Sequence, residues 1–451
     1  MTPDAPRVPA RRVLALAVPA LGVLAAEPLY LLVDTAVVGR LGAVPLAALA
    51  VGGVVLVQVS SGLTFLSYGT TARTARLYGS GQRAAAVAEG AQASWLALGV
   101  GGVVLVAGQL AAGPVVRLLA GSGPVADAAL GWLRIALFGA PFVLVTLAGN
   151  GWMRGVQETA RPLRYVLIGN GISAVLCPVL VHGAGPVAGI GLPGSAVANV
   201  VAQVLAAGLF LRALVIELAA QRAPAWPSWP AMRAQLGMGR DLVLRTAAFQ
   251  ACFLSATSVA ARTSAATAGA HQIVLQLWSF LALVLDSLAI AAQSLVGAAL
   301  GSGDERGARS LAWQVTRYGL AFGIALGLMF AAVEPVLPQL FTSDGAVLAE
   351  IPHAWWFFVA LQPVAGVVFA LDGVLLGAGD AAFLRTSTLV SALVGFLPMV
   401  WASLVFGWGL IGIWSGLAAF MLLRLGFVLA RTYGTRWSVT GAVRHPGRIV
   451  P

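Results

Sequence analysis

Apolar runs long enough to cross a bilayer recur along the whole chain. A spanning helix needs about 20 predominantly apolar residues, because the hydrocarbon layer is about 30 Å thick and each helical residue rises about 1.5 Å. Twelve runs meet that length, at roughly 13–39, 44–72, 86–112, 124–152, 163–183, 191–217, 238–262, 266–298, 308–334, 347–377, 383–406 and 409–432. Several exceed the minimum and should tilt or extend past the hydrocarbon. None alternates with period two, so the runs read as helices and not as barrel strands. Only 10% of residues are charged, against about 25% in soluble domains. The chain is therefore expected to be an all-α integral membrane protein.

The net charge of +11 would suggest nucleic acid in a soluble protein. Here the basic residues, all arginine, gather between the runs. Arg7, Arg11 and Arg12 precede the first. Arg73, Arg76, Arg83, Arg154, Arg161, Arg164, Arg212, Arg222, Arg233, Arg240, Arg245, Arg306, Arg309, Arg317, Arg385, Arg431, Arg436, Arg444 and Arg448 fall in alternate loops and the C-terminal tail. The opposite loops hold only Arg40, Arg117 and Arg262, with Arg134 assigned to neither side. The positive-inside rule then places both termini in the cytoplasm, with a lipid bilayer and no nucleic acid as partner. Met1–Arg12 leads into a full-length span and not a short cleavable core, so it reads as a tail before the first membrane helix. Cys177 and Cys252 lie inside apolar runs without metal-ligand spacing, which argues against a metal site and a disulfide framework. His182, His271, His353 and His445 are scattered, so the clustered acids and histidines of an intramembrane enzyme are not evident.

The two halves repeat. A shift of 222 residues places Gly79-Ser80-Gly81 on Gly301-Ser302-Gly303, Arg40 on Arg262, and Pro141 on Pro363. It also sets Asn150, Gly151, Gly155 and Glu158 on Asp372, Gly373, Gly377 and Asp380. The expected organisation is a tail at 1–12, an N-lobe of six helices at 13–217, a proline-rich cytoplasmic linker at 218–237, a C-lobe of six helices at 238–432 and a tail at 433–451. Six helices per half give both halves the same orientation, hence a pseudo-twofold axis along the membrane normal and alternating access by lobe rocking.

Within the first run, Glu27 and Asp34 are seven residues apart, nearly two helical turns, and so should share a face. Pro28 offers no N–H to the carbonyl of Leu24 and should bend the helix there. A carboxylate deep in a bilayer costs about 2.5–3.5 kcal/mol on insertion scales, and such residues usually face a bundle interior or a watery cavity. The pair suggests a site that takes up and releases a cation. The alternative is a pair of acids near the membrane surface, or acids satisfied by Arg and Thr neighbours.

Three strings carry a resemblance. Glu27-Pro28-Leu29 is followed by Val33-Asp34-Thr35-Ala36-Val37-Val38-Gly39. Leu285-Asp286-Ser287-Leu288-Ala289-Ile290-Ala291-Ala292-Gln293-Ser294-Leu295-Val296-Gly297 runs into Gly301-Ser302-Gly303-Asp304. Gly151-Trp152-Met153-Arg154-Gly155-Val156-Gln157-Glu158-Thr159 is echoed by Gly373–Asp380. Together they resemble the multidrug and toxic compound extrusion (MATE) family, in its DinF-like branch, over nearly the whole chain. That resemblance implies a multidrug efflux antiporter of the bacterial plasma (inner) membrane, working as a monomer. It would export small organic, cationic or amphipathic compounds in exchange for H⁺ or Na⁺, with no cofactor.

The resemblance makes Asp34 the coupling acid, with Glu27 beside it and Pro28 as a hinge or a static kink. Where the family often has Asn, three residues, then Asp before Pro, this chain has Ser173-Ala174-Val175-Leu176-Cys177-Pro178, and Asn199 stands where Thr is frequent. One carboxylate suffices for a proton whereas Na⁺ wants several hard oxygens, so H⁺ is the expected coupling ion. Tyr30, Asn170, Ser173, Cys177, Asn199 and Gln203 are candidate cavity residues, with Asn170, Ser173, Asn199 and Gln203 expected to hydrogen-bond Asp34 or substrate. His271 and Asp286 are candidates in the other half, with structural roles as the alternative. Glu158 and Asp380 are expected to cap helices or pair with arginines. Trp132, Trp152, Trp355, Trp356 and Trp408 are expected as interfacial anchors. The rival readings are a lipid-linked precursor flippase of the same superfamily and, in another class, an intramembrane lipid-modifying enzyme.

Overall fold

The computed structural model describes residues 9–442. Most of the expected N-terminal tail and the end of the C-terminal one, with Arg444, His445 and Arg448, lie outside the described residues. Twelve helices are long and apolar enough to cross a membrane: α1 Ala10–Gly39, α2 Ala43–Gly79, α3 Arg83–Ala120, α4 Pro124–Gly155, α5 Ala160–His182, α6 Leu192–Gln221, α7 Trp229–Thr263, α8 Ala265–Gly301, α9 Glu305–Val333, α10 Gly345–Gly377, α11 Ala381–Phe406 and α12 Gly409–Tyr433. Helix α1 continues through both Pro19 and Pro28. Two other helices change pitch ahead of a proline. Helix α4 tightens at Leu137–Gly139 before Pro141, and α11 widens at Ser391–Phe396 before Pro398. Each proline deprives the carbonyl four residues earlier of its partner, and the backbone adjusts locally.

The chain divides into two compact units. The N-lobe holds Val18–Gly239; the C-lobe holds the residues from Arg240 onward together with those before Val18. Both α1 and α7 are therefore continuous across the division. Ala17 and Gly239, the residues at which it falls, are separated by the repeat shift of 222. The same shift carries α2 onto α8 end for end. The proline-rich linker is irregular only over 222–228, because α6 runs to Gln221 and α7 starts at Trp229. It is pinned to α3, where Gln92 Nε2 donates to the Trp226 carbonyl at 2.9 Å and Trp95 Nε1 to that of Ala225 at 2.8 Å.

Glycines set the closest helix approaches, and they do so twice. On α4, a Cβ on Gly151 would come within 2.5 Å of the Ser67 carbonyl oxygen, and one on Gly155 within 2.6 Å of Thr74 Cβ. On α10, Gly373 and Gly377 meet the backbone of Ala289 and Gln293 in the same way. Gly101 against Pro141 and Gly323 against Pro363 make a second repeated pair. Small residues four apart let membrane helices approach until van der Waals contact drives association, which apolar burial cannot do in lipid.

The same geometry corrects the tryptophan expectation. Trp132, Trp152 and Trp355 are core residues, 4%, 3% and 0% exposed, and of the five expected anchors Trp356 and Trp408 are the exposed ones. Trp132 fills the space left by Gly52, and Trp152 the space left by Gly90. Several arginines expected in loops are also interior: Arg76 and Arg154 are buried. Arg73 pairs with Glu89, which also accepts from Gln235 Nε2 at 2.7 Å. Glu158 and Asp380 do cap and pair. Glu158 Oε1 accepts from the N–H groups of Ala160 and Arg161, and Asp380 pairs with Arg431 at 2.7 Å.

Candidate functional site

Helix α1 buries a stripe at every fourth residue, Ala26, Tyr30, Asp34 and Val38. Asp34 is the charged member of that stripe, 2% exposed. Its partner comes from α5: the Cys177 thiol donates to Asp34 Oδ1 at 3.2 Å. Cys177 is itself fully buried, packed with Val181 and Ala198. From α6, the Ser195 hydroxyl lies beside the same carboxylate. Ser195 Oγ accepts from Trp132 Nε1 at 3.2 Å, which leaves its own proton free to be aimed at Asp34.

The α5–α6 connection fixes this geometry. After His182 the chain makes a two-stranded ribbon, pairing Gly183 with Ala188 and Ala184 with Val187. The N–H groups of Ile190 and Gly191 then return to the carbonyls of Leu180 and Val181. Gly194 lies against the Leu180 backbone so closely that a Cβ there would come within 2.6 Å. Ser195, the next residue, is thereby held next to Cys177's helix. His182 Nε2 contacts the Val37 carbonyl at 3.0 Å and ties the end of α5 to α1.

One turn before Asp34, Tyr30 is 5% exposed. Its hydroxyl faces Ser173 and Asn199. Neither the Tyr30 hydroxyl nor Ser173 Oγ has a hydrogen-bond partner among the described residues. The two hydroxyls thus lie together in one buried polar region between α1 and α5, beside Asn199 of α6. Asn170, Asn199 and Gln203 are half-buried on α5 and α6. Among the described residues it is the Cys177 thiol, one turn beyond Ser173 on α5, that donates to Asp34. Glu27 differs from Asp34 in being exposed, as is Pro28. The structure thus joins Asp34, Tyr30, Ser173, Cys177 and Asn199, and leaves Glu27 outside the group.

In the C-lobe the expected residues are less gathered. His271 is 3% exposed on α8, its ring edge-on to Trp414 at 6.2 Å, with neither ring nitrogen hydrogen-bonded among the described residues. Asp286 is half-buried further along α8 and is engaged with neighbours. The dominant polar group was not foreseen. Asp372 on α10 binds Arg424 of α12 and, at 2.5 Å, Arg245 of α7. Arg245, expected in a loop, lies within α7.

Comparison with known proteins follows the same division. A family profile described as MatE matches residues 19–179 and 242–401, two blocks whose last residues are 222 apart. The chain is 34% identical over 433 residues to Protein DETOXIFICATION 44, chloroplastic, of Arabidopsis thaliana, covering 92% of this chain and 80% of that one. It is 29% identical over 424 residues to DNA damage-inducible protein F of Escherichia coli (strain K12), covering 91% and 89%. Probable multidrug resistance protein NorM of Thermotoga maritima is 22% identical over 437 residues, covering 95% and 93%. A crystal structure of MATE in the bent conformation superposes with a TM-score of 0.86 at 20% identity, covering 96% of this chain and 97% of that one. An outward-facing MATE family transporter of the MOP superfamily superposes with a TM-score of 0.81 at 20% identity, covering 95% and 96%.

Proposed function

The chain belongs to the MatE family, whose members are multidrug efflux transporters and not enzymes, and from that premise we propose that it exchanges protons for small organic cations or amphiphiles through Asp34. The observation that carries the reading is the buried Asp34 carboxylate held by a thiol. Its neighbours are the Cys177 thiol, the Ser195 hydroxyl and the unpaired hydroxyls of Tyr30 and Ser173. A thiol is a soft ligand, poorly suited to a hard cation such as Na⁺, which prefers several carboxylate and carbonyl oxygens. A proton needs one carboxylate and nothing more. This donor set supports H⁺ over Na⁺.

The ionised carboxylate would attract a cationic substrate, strongly because Asp34 is buried away from water. Protonation removes the charge and with it the attraction. The two ligands are therefore mutually exclusive, and exclusion is the differential affinity that coupled exchange needs. Tyr30, Ser173 and Asn199 would orient polar atoms of the substrate. Glu27, exposed on the same helix, would serve in proton delivery. One charge crossing 100 mV is worth about 2.3 kcal/mol, which sustains roughly a fifty-fold gradient. The protein would act as a monomer, with a bacterial plasma membrane and cytoplasmic termini as its setting.

The test uses the purified protein in proteoliposomes with an internal pH dye, with ethidium as the cation. Wild type should show ethidium-driven proton flux that is indifferent to Na⁺ and abolished in Asp34→Asn. Flux that requires Na⁺ would refute the proton assignment. Unchanged flux in Asp34→Asn would refute the role of that acid.

A further inference from the structure

In the C-lobe two arginines meet one buried carboxylate. Arg245, Asp372 and Arg424 come from α7, α10 and α12, and their side chains are 16%, 5% and 1% exposed. Two guanidiniums share one carboxylate. They also share one of its oxygens, since Nη2 of each arginine donates to Asp372 Oδ2. That leaves Asp372 Oδ1, Arg245 Nε and Arg424 Nε buried without partners among the described residues. The neighbouring C-lobe acids are engaged elsewhere, Asp241 with Arg385 and Asp380 with Arg431. The charges acting on Arg424 are those of Asp372 and Arg245.

The Nε and Nη2 protons form the edge by which a guanidinium grips a carboxylate two-handed. In both arginines Nη2 is occupied and Nε is not. The faces of the guanidiniums are covered: Arg424 lies 5.0 Å from the Phe249 ring centre and 5.7 Å from that of Phe420, and Arg245 lies 5.5 Å from that of Phe249. Only the edges are left to bind. A buried uncompensated charge is costly, and the two unmet Nε–H donors are the groups through which an anion would offset it.

We propose that Arg245 and Arg424 form an anion site in the C-lobe, which takes a monoanion, either a halide or the carboxylate of an amphipathic organic compound, on the two free Nε–H groups. Asp372 holds the two arginines in place and sets the net charge at one positive unit. The aromatic wall of Phe249 and Phe420 suits an organic anion with an apolar body. The site depends on C-lobe residues alone and stands whether or not Asp34 exchanges a proton.

The experiment follows thermal unfolding of the full-length protein in detergent by tryptophan fluorescence. Sodium chloride or sodium benzoate is titrated into sodium HEPES at constant ionic strength. Wild type should show a saturable rise in apparent Tm with chloride, benzoate or both. Chloride alone identifies an inorganic ion; benzoate that competes with chloride identifies an organic carboxylate. Arg424→Met and Arg245→Met should lose the response. Asp372→Asn, which removes the competing negative charge, should reach half-saturation at least tenfold lower. Should Arg424→Met fail to fold, Arg245→Met, the more exposed of the two, carries the test. A purely structural cluster would lower the starting Tm of Arg245→Met yet leave its anion response as in wild type. That result, or no saturable response in wild type, would overturn the proposal.

Discussion

Removal of the acid at the C-lobe cluster should cost more than removal of either base. In Asp372→Ala the buried guanidinium of Arg424, 1% exposed, and that of Arg245, 16% exposed, face each other with no carboxylate between them. Breaking a buried ion pair by deleting one partner costs about 3–5 kcal/mol, mostly from the charge left behind, and here two like charges are left. In Arg424→Met the remaining Arg245–Asp372 pair is neutral. The loss is then a hydrogen bond to a charged group, about 1.5–3 kcal/mol, together with its aromatic contacts. The double variant Asp372→Ala/Arg424→Met strands only Arg245, the more exposed base, and should recover part of the loss caused by Asp372→Ala alone. Intrinsic fluorescence of the 13 tryptophans reports unfolding in detergent. At one fixed scan rate in sodium HEPES, the expected order of apparent Tm is wild type, Arg424→Met, the double variant, then Asp372→Ala. If Arg424→Met lies below Asp372→Ala, the charge argument fails and the cluster is held by arginine packing.

Gly373→Val and Gly151→Val should each lower apparent Tm, because a side chain would run into the backbone of a neighbouring helix; overpacking of this kind costs about 1–3 kcal/mol or more. Equal losses at the two positions would match their equivalence in the repeat, and no loss at either would show that the helices can part. Trp132→Phe should lose about 1 kcal/mol from its bond to Ser195 and should alter proton-coupled flux, since Ser195 lies beside Asp34; unchanged flux would separate Ser195 from the coupling group. Cys177, fully buried and engaged with Asp34, should react with a membrane-permeant maleimide far more slowly in the folded protein than after denaturation. Rapid labelling in native micelles would contradict its position. Cys177→Asp, which adds a second carboxylate beside Asp34, should increase the sensitivity of transport to Na⁺, read as a Na⁺-dependent change in ethidium flux.

The twelve helices were legible because apolar length alone specifies a membrane span, and the repeat was legible because glycines at close approaches admit no other side chain. The Gly151, Gly155 and Gly373, Gly377 pairs appear in sequence as spaced glycines and in the structure as helix contacts. Asp34 stood out for a similar reason, as an acid in hydrocarbon. Its surroundings were only half readable. The sequence marks Cys177 as the residue in place of an absent acid, but its thiol as the donor to Asp34 is a tertiary fact. Ser195 follows a glycine loop, and nothing local marks it. The tryptophans misled because position along a helix says where an indole lies in depth, not whether it points outward or into a gap left by Gly52 or Gly90. Arg245 and Arg424 are not legible as a group because their partner is 127 and 52 residues away, on a different helix.

The repeat shows how one scaffold came to hold two different charges. At the shift of 222, Asp34 falls on Ala256, and Asp372 falls on Asn150. Arg245 falls on Val23 and Arg424 on Ala202. The glycine and proline contacts that set helix spacing persist in both halves, while every member of either charged group has an uncharged counterpart. Packing is thus retained where backbone meets backbone, which constrains both halves alike. Charge varies at positions that face the interior of a lobe, where a single substitution changes the ligand without moving a helix. The N-lobe presents a buried carboxylate with soft and hydroxyl neighbours, a place for a proton or a cation. The C-lobe presents a carboxylate outnumbered by two guanidiniums, a place with no electrostatic reason to take a cation. If exchange runs through Asp34 as proposed, cation handling would belong to the half that carries it, and the anion proposed for Arg245 and Arg424 to the other.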